Sequence, residues 1–286
     1  MSKPAGASGG FSRFRIDLSY DGTDFAGWAK QPTLRTVQGD LLKALIKIFG
    51  EDENDFGMRV AGRTDAGVHA LAQVCHFDVT PEQLKRAGRS SITAKRLQSL
   101  LTPEIVISNV QPVSTDFDAR FSAIGRSYRY LIADRSTPKS PLTGRYVLWV
   151  LNDLDTDLMQ EAADQLVGLH DFGAFCKPKA GATTIRELRK LKVVRSENHI
   201  EVQLQADAFC RNQVRAIVGS LIAVGGKKLS IPALVTILKG KTRVSAFKVV
   251  AAHGLALTAV EYPSDDQLAI QAEKARRRRT AEEISV

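Results

Sequence analysis

Residues 61–70 read Ala61-Gly62-Arg63-Thr64-Asp65-Ala66-Gly67-Val68-His69-Ala70 and stand between two strand-like runs, Phe56 to Val60 and Leu71 to Phe77. The segment sets one carboxylate, Asp65, two residues after a cation, Arg63, with Gly62 and Gly67 flanking the pair. Glycine admits backbone conformations closed to other residues and lets a ligand approach closely. An acid held in such a loop beside arginine can stay ionised and reachable. Asp-Ala-Gly is also ordinary turn chemistry, and spacing alone favours that plainer reading.

Working outward, Phe14, Ile16, Leu18 and Tyr20 alternate with Arg13, Arg15, Asp17 and Ser19, the pattern of a half-buried strand. Thr36 can cap a helix in which Val37, Leu41, Leu45 and Ile48 recur every three or four residues. Thr80-Pro81-Glu82-Gln83 is a well-formed helix start, and the helix is predicted to run towards Leu101. Glu104 to Val110 reads as a further strand. The order is β-α-β-β-α-β.

The second half repeats it. Tyr128, Tyr130 and Ile132 alternate in a strand; Leu158, Ala162 and Leu166 mark a helix. Leu188 to Val194 and Ile200 to Ala206 make a hairpin turning at Ser196-Glu197-Asn198. Val214, Ile217, Val218, Leu221 and Ile222 define a helix face, Ser230 caps an extra helix, and Leu255, Leu257 and Ala259 close the set as a strand. Two successive units of this order suggest an α+β chain of paired ferredoxin-like halves. The expected organisation is a flexible leader at 1–12, halves at 13–115 and 116–263 with the junction near 111–120, and a charged tail at 264–286, disordered or partly helical.

The chain has 286 residues, 44% of them hydrophobic, with a formal charge of +9 and a pI near 9.5. The tail holds five basic and five acidic side chains, so the whole excess belongs to the folded body, and a phosphate-lined partner is plausible. Arg276 to Arg279 could touch phosphates, but such a run is more often solvated. Three scattered cysteines (75, 176 and 210) and five histidines show no ligand spacing, so no metal site and no disulfide framework are read. Cys75-His76 is a weak candidate for a reactive pair, because adjacent strand residues point to opposite faces. The leader is polar and glycine-rich, unlike a secretory signal, and no run of about eighteen apolar residues suggests a membrane span. The cytoplasm is the expected compartment.

The run Ala61 to His69 resembles the active-site motif of tRNA pseudouridine synthases of the TruA family. Four further blocks are similar to that family in the same order: Tyr20 to Gln31; Ala119 to Ala123 with Arg126-Ser127-Tyr128-Arg129-Tyr130; Gly168 to Phe172; and Val214 to Gly219. Five ordered blocks are far more specific than one motif. The resemblance covers about residues 14–262. It implies a pseudouridine synthase fold, the two halves joining into one extended antiparallel or mixed sheet with a central cleft.

The resemblance also implies an isomerase acting on uridines of the tRNA anticodon stem-loop, at tRNA positions 38, 39 and 40, as a homodimer and with no cofactor. Asp65 is then the catalytic carboxylate. Arg215 matches the arginine that would offset its charge, since isolated buried charge is costly, although helical spacing alone leaves Arg215 facing solvent. Tyr128 matches the tyrosine that stacks on the target base, and every base offers a stackable face; alternation alone makes it a core residue. The family pattern points to Tyr128 and not to Tyr130. Arg63 resembles the arginine that fills the space left by a flipped nucleotide. His69 is read as loop support, and Trp28 and Phe25 as packing. Arg13, Arg15, Lys30, Arg35, Arg120 and Arg129 are candidate phosphate contacts.

Two departures stand out. Phe117-Asp118-Ala119-Arg120 has an aspartate where the family usually has histidine, and Asp118 would repel phosphate. An asparagine-rich stretch of the family is replaced by Thr93-Ala94-Lys95-Arg96 and Leu100-Leu101-Thr102-Pro103. The competing reading is a non-catalytic RNA-binding or folding module, which the basic body fits equally well. A nucleoside hydrolase is disfavoured, because Asp65 has no second acid within its motif.

Overall fold

The computed structural model describes residues 10–88, 92–177, 181–243, 245–277 and 279–285. Most of the expected leader, and Arg278 of the tail, lie outside these residues. The chain forms two compact units. One runs to Ile124 and takes in Thr258–Arg276; the other comprises Gly125–Leu257 and the residues from Arg277 onward. The divisions at 124/125 and 257/258 differ from the sequence-based boundaries because the strand ending at Glu261 and the following helix pack with the N-terminal half.

In chain order the first unit contains β1 (Ser12–Tyr20), α1 (Val37–Phe49), β2 (Arg59–Val60), β3 (His69–Val79), α2 (Pro81–Arg86), α3 (Ala94–Gln98) and β4 (Ile105–Val113). The second contains β5 (Gly125–Ala133), β6 (Leu148–Trp149), α4 (Thr156–Asp164), β7 (Gly168–Asp171), β8 (Ile185–Arg195), β9 (Ile200–Ala206), α5 (Gln213–Gly225) and α6 (Ile231–Gly240). β10 (Leu255–Glu261) begins in the second unit and ends in the first, to which α7 (Leu268–Arg276) belongs.

Local chemistry accounts for most of these elements. In β1 Phe14, Ile16, Leu18 and Tyr20 are buried while their neighbours are half-exposed, as a period of two requires. Thr36 caps α1 by accepting the Gly39 N–H, and seven residues of α1 are buried. Thr80 and Gln83 form the reciprocal capping box of α2. Within the first unit the strands order as β4-β1-β3 with β2 on β3. In the second they order as β5-β9-β8-β7, with β10 alongside β5 and β6 parallel to β5. Numbering the four principal strands of each half, both have the 4-1-3-2 order of a ferredoxin-like unit, with β6 and β7 as additions. The chain is α+β, with ten strands in mixed pairing among the described residues.

Two local expectations are corrected. Residues 56–60 are not one strand: the Asp52 carboxylate accepts the Asn54 and Phe56 N–H groups, and Asp55–Gly57 form a 3-10 turn that buries Phe56 against Phe49. Only Arg59–Val60 remain to pair with β3. The helix begun at Thr80 stops at Arg86, and Thr93 starts a new one by accepting the Arg96 N–H, a local cap that competes with helix continuation. The tail, expected to be disordered or partly helical, is helical over α7, where Leu268 and Ala272 are buried. Leu268 joins Ala61, Val74, Phe117 and Ala119 in one buried cluster, and burying a leucine contributes about 2 kcal/mol.

Candidate active site

The loop bearing Asp65 connects β2 to β3 and is gripped by the segment after β1. Trp28 N–H donates to Thr64 O (3.1 Å) and Gly67 N–H to Phe25 O (3.3 Å). Gly22 N–H donates to His69 Nδ1 (3.1 Å), so this imidazole nitrogen holds the loop as an acceptor. The Tyr20 hydroxyl meets Thr64 Oγ1 at 2.8 Å, and buried Gln73 donates to Tyr20 Oη (3.2 Å) and Gly62 O (2.9 Å). Phe25 and Trp28 are almost wholly buried, as packing residues should be.

Two glycines of this segment are required by space. A Cβ on Gly22 would collide with the Val68 carbonyl. One on Gly27, whose φ is +95°, would lie 2.8 Å from Thr64 O and 3.1 Å from Ala66 N. The backbone of the Tyr20–Gln31 block is thus the floor on which residues 64–68 rest, which gives two separated sequence blocks one physical purpose.

Val68 N–H donates to Asp65 O (3.2 Å), closing a turn. The turn reading and the functional reading of this loop are therefore compatible. Asp65 heads the turn with its side chain half-buried, Arg63 is exposed, and Thr64 and His69 are buried. Asp65 is accessible to a ligand and rigidly based.

In the second unit β5 carries Tyr128 and Tyr130, two residues apart and differently placed. Tyr130 is fully buried and its hydroxyl donates to Ala251 O (2.7 Å). Burial pushes its phenol well above the ordinary range, and the nearby Arg215 charge opposes that rise. Tyr128 is half-buried, with its ring edge-on to Phe209 at 5.2 Å between centroids. Arg215 on α5 is half-buried and not turned wholly to solvent: its Nε donates to Val250 O (2.7 Å), while Val250 N–H donates to Arg215 O (3.3 Å). These bonds fix both ends of the residue.

The candidate phosphate contacts separate by what already holds them. Arg13 donates to both oxygens of Asp78 at 2.7 Å and to the Thr115 and Phe117 carbonyls, so its guanidinium is spent on the fold. Arg15 donates to Asp17 and lies over the Phe117 and Tyr262 rings. Arg35 bridges Asp40, Glu104 and Thr102. The Lys30 ammonium makes an exposed pair with Asp55 (2.6 Å), which contributes little to stability. Arg120 is exposed and Arg129 half-exposed. Asp118 does not confront solvent as its sequence position suggests: it is buried, and Oδ1 accepts the Arg120 and Phe121 N–H groups.

Cys75 and His76 do not form a reactive pair. Burial raises the Cys75 thiol far above its usual range. It also lowers His76 to about 4, where the neutral ring accepts the Ala119 N–H (2.9 Å). Sequence reasoning missed Gln73 and the Tyr20–Thr64 pair. Gln73 is wholly buried in β3, and a buried amide is a signal that something polar must meet it.

The profile of the tRNA pseudouridine synthase family matches residues 18–122 and 162–263, spans that take in Asp65 with its glycine floor, Arg215 and the Gly168–Phe172 block. The chain belongs to this family. Among curated relatives, it is 45% identical to the tRNA pseudouridine synthase A of Leifsonia xyli subsp. xyli over 94% of this chain and 98% of the relative. It is 45% identical to that of Streptomyces griseus subsp. griseus, with 96% of each chain covered. The enzyme of the same name from Cutibacterium acnes is 43% identical, over 96% of this chain and 97% of the relative.

Proposed function

We propose that this chain isomerises uridine to pseudouridine in tRNA, at uridines of the anticodon stem-loop, with Asp65 as the catalytic carboxylate. The C1′–N1 bond breaks, the uracil turns, and C5 bonds to C1′; the C5 proton leaves while N1 takes one up. No electron is gained or lost overall, so the residues need supply only charge, orientation and proton transfer. Asp65 stabilises or attacks the sugar or base as the glycosidic bond opens. Arg215 balances its charge, Tyr128 stacks on the target base, and Arg63 occupies the space the flipped nucleotide leaves. Lys30, Arg120 and Arg129 contact phosphates. Arg13 and Arg15, held by Asp78 and Asp17, serve the scaffold. The enzyme works in the cytoplasm as a homodimer, and light scattering of a fully active monomer would remove that part of the proposal.

One observation supports the reading above the rest: a half-buried carboxylate heading a turn that is clamped at the backbone of residues 62, 64 and 67 and at the His69 imidazole. A loop built only to turn needs no such floor. The test is incubation with unmodified tRNA and detection of pseudouridine by chemical blocking. Asp65→Asn should abolish product while tRNA affinity is retained. tRNA binding by the wild type without any modified base would identify a binding module, and loss of affinity in Asp65→Asn would make Asp65 structural.

A further inference from the structure

Two guanidiniums of the first unit lie over Phe121, and one of them meets a third at Asp118. Arg120 Cζ lies 4.9 Å from the ring centroid and Arg276 Cζ 5.1 Å. Arg276 also shares one oxygen, Asp118 Oδ2, with Arg59, at 3.6 and 3.3 Å. The other oxygen of that carboxylate caps the backbone of Arg120 and Phe121. A single buried acid and a single ring therefore set the positions of three cations. The side chains of Arg59 and Arg276 are 54% and 53% exposed, while that of Asp118 is only 8% exposed.

Stability does not account for this gathering. Arg59 and Arg276 share one carboxylate oxygen, so that pair carries one more formal positive charge than Asp118 offsets. Exposed ion pairs contribute about 0–1 kcal/mol, and cation–π contacts at exposed sites about 0.5–1 kcal/mol, while the like charges repel. Preorganised arginine forks suit an oxyanion, whose oxygens accept paired N–H donors.

The third cation is brought by α7. That helix lies beyond residue 263, where the family match ends, so the match assigns it nothing. It is docked by buried Leu268 and Ala272, and by Ser122 Oγ donating to Leu268 O (3.2 Å). The basic run at the C-terminus is thereby divided: Arg279 pairs with Asp207 and Glu283, whereas Arg276 joins Phe121.

We propose that Arg59, Arg120 and Arg276 form a binding site for RNA phosphodiesters, with α7 as the element that completes it. This rests on tRNA being the ligand of the proposed function, but its test reads affinity and not product. Each phosphate neutralised changes log affinity against log salt by about 0.9. Extrapolated from 1 M salt, where that contribution vanishes, this is roughly fivefold in Kd at 0.15 M.

The experiment measures binding of an unmodified tRNA transcript by fluorescence anisotropy across a salt series. Arg276→Ala should weaken binding roughly fivefold near 0.15 M and lower the salt slope by about one. Lys274→Ala, one charge fewer on the same helix, should change Kd by less than about twofold. Arg276→Lys keeps the charge and should restore most of the slope, which separates loss of a contact from loss of the helix. Equal losses in Arg276→Ala and Lys274→Ala would show a diffuse charge effect and overturn the site, as would an unchanged slope in Arg276→Ala. Absence of pseudouridine with these affinities intact would refute the catalytic proposal alone.

Discussion

Replacing Gly27 by alanine tests whether the Tyr20–Gln31 segment sets the position of Asp65. The added Cβ would stand 2.8 Å from Thr64 O, 3.1 Å from Ala66 N and 3.2 Å from the Asp65 carbonyl carbon. Ordinary contact begins near 3.4 Å, so the loop must retreat by about 0.6 Å. The backbone at φ +95° is itself unfavourable for an L-residue and costs about 1–2 kcal/mol. Strain and contact together should destabilise the protein by about 2 kcal/mol, lowering Tm by roughly 4–8 °C. A displacement of this size at a catalytic group reduces turnover by about 10- to 100-fold, given that 1 Å can cost about 100-fold. Single-turnover pseudouridine formation at saturating tRNA, well below Tm, reads the chemical step, and anisotropy reads Kd. The expected result is a large fall in rate with Kd within about twofold of wild type. A variant that loses Tm but keeps its full single-turnover rate would refute the claim that this floor positions the carboxylate.

Other residues make separable predictions. Arg13→Ala breaks a partly buried bidentate pair and two carbonyl bonds, so urea unfolding should show a loss of about 2–4 kcal/mol. Lys30→Ala removes an exposed pair and should cost less than about 1 kcal/mol while weakening tRNA binding. Tyr130→Phe deletes the buried hydroxyl bonded to Ala251 and should lose about 1–3 kcal/mol of stability with activity retained; Tyr128→Ala should have the opposite profile in the same two assays. His76 is lowered from 6.5 to about 4 in the folded chain. The unfolded chain therefore binds the extra proton between those values, and stability is present above pH 6.5 and lost as pH falls towards 4. At pH 5 the loss should approach about 2 kcal/mol, and unfolding of His76→Gln at pH 7 and pH 5 should lack that difference.

The sequence discloses elements whose cause is local. The alternation of β1 and the caps at Thr36 and Thr80 lie within a few residues of what they specify. Asp65 is legible through its motif. Several of the misjudged features depend on distant partners. Arg13 and Arg15 look like outward cations because β1 alternates, but Asp78 stands directly across from Arg13 in the β1–β3 register, 65 residues away. Asp118 looks like a repulsive surface charge until its neighbours Arg59 and Arg276 are placed beside it. The docking of α7 escapes because Leu268 and Ala272 are its only buried residues, set among charges. The 3-10 turn at Asp55 follows from Asp52, whose side chain could equally have faced water.

Leu268 belongs to the same apolar cluster as Ala61, at the base of the Asp65 loop, though two hundred residues of sequence separate them. The apolar floor beneath that loop is therefore shared by a side chain that the chain supplies long after the loop itself. Leu268→Ala should therefore loosen the packing beneath that loop, at a cost of about 2–5 kcal/mol in stability.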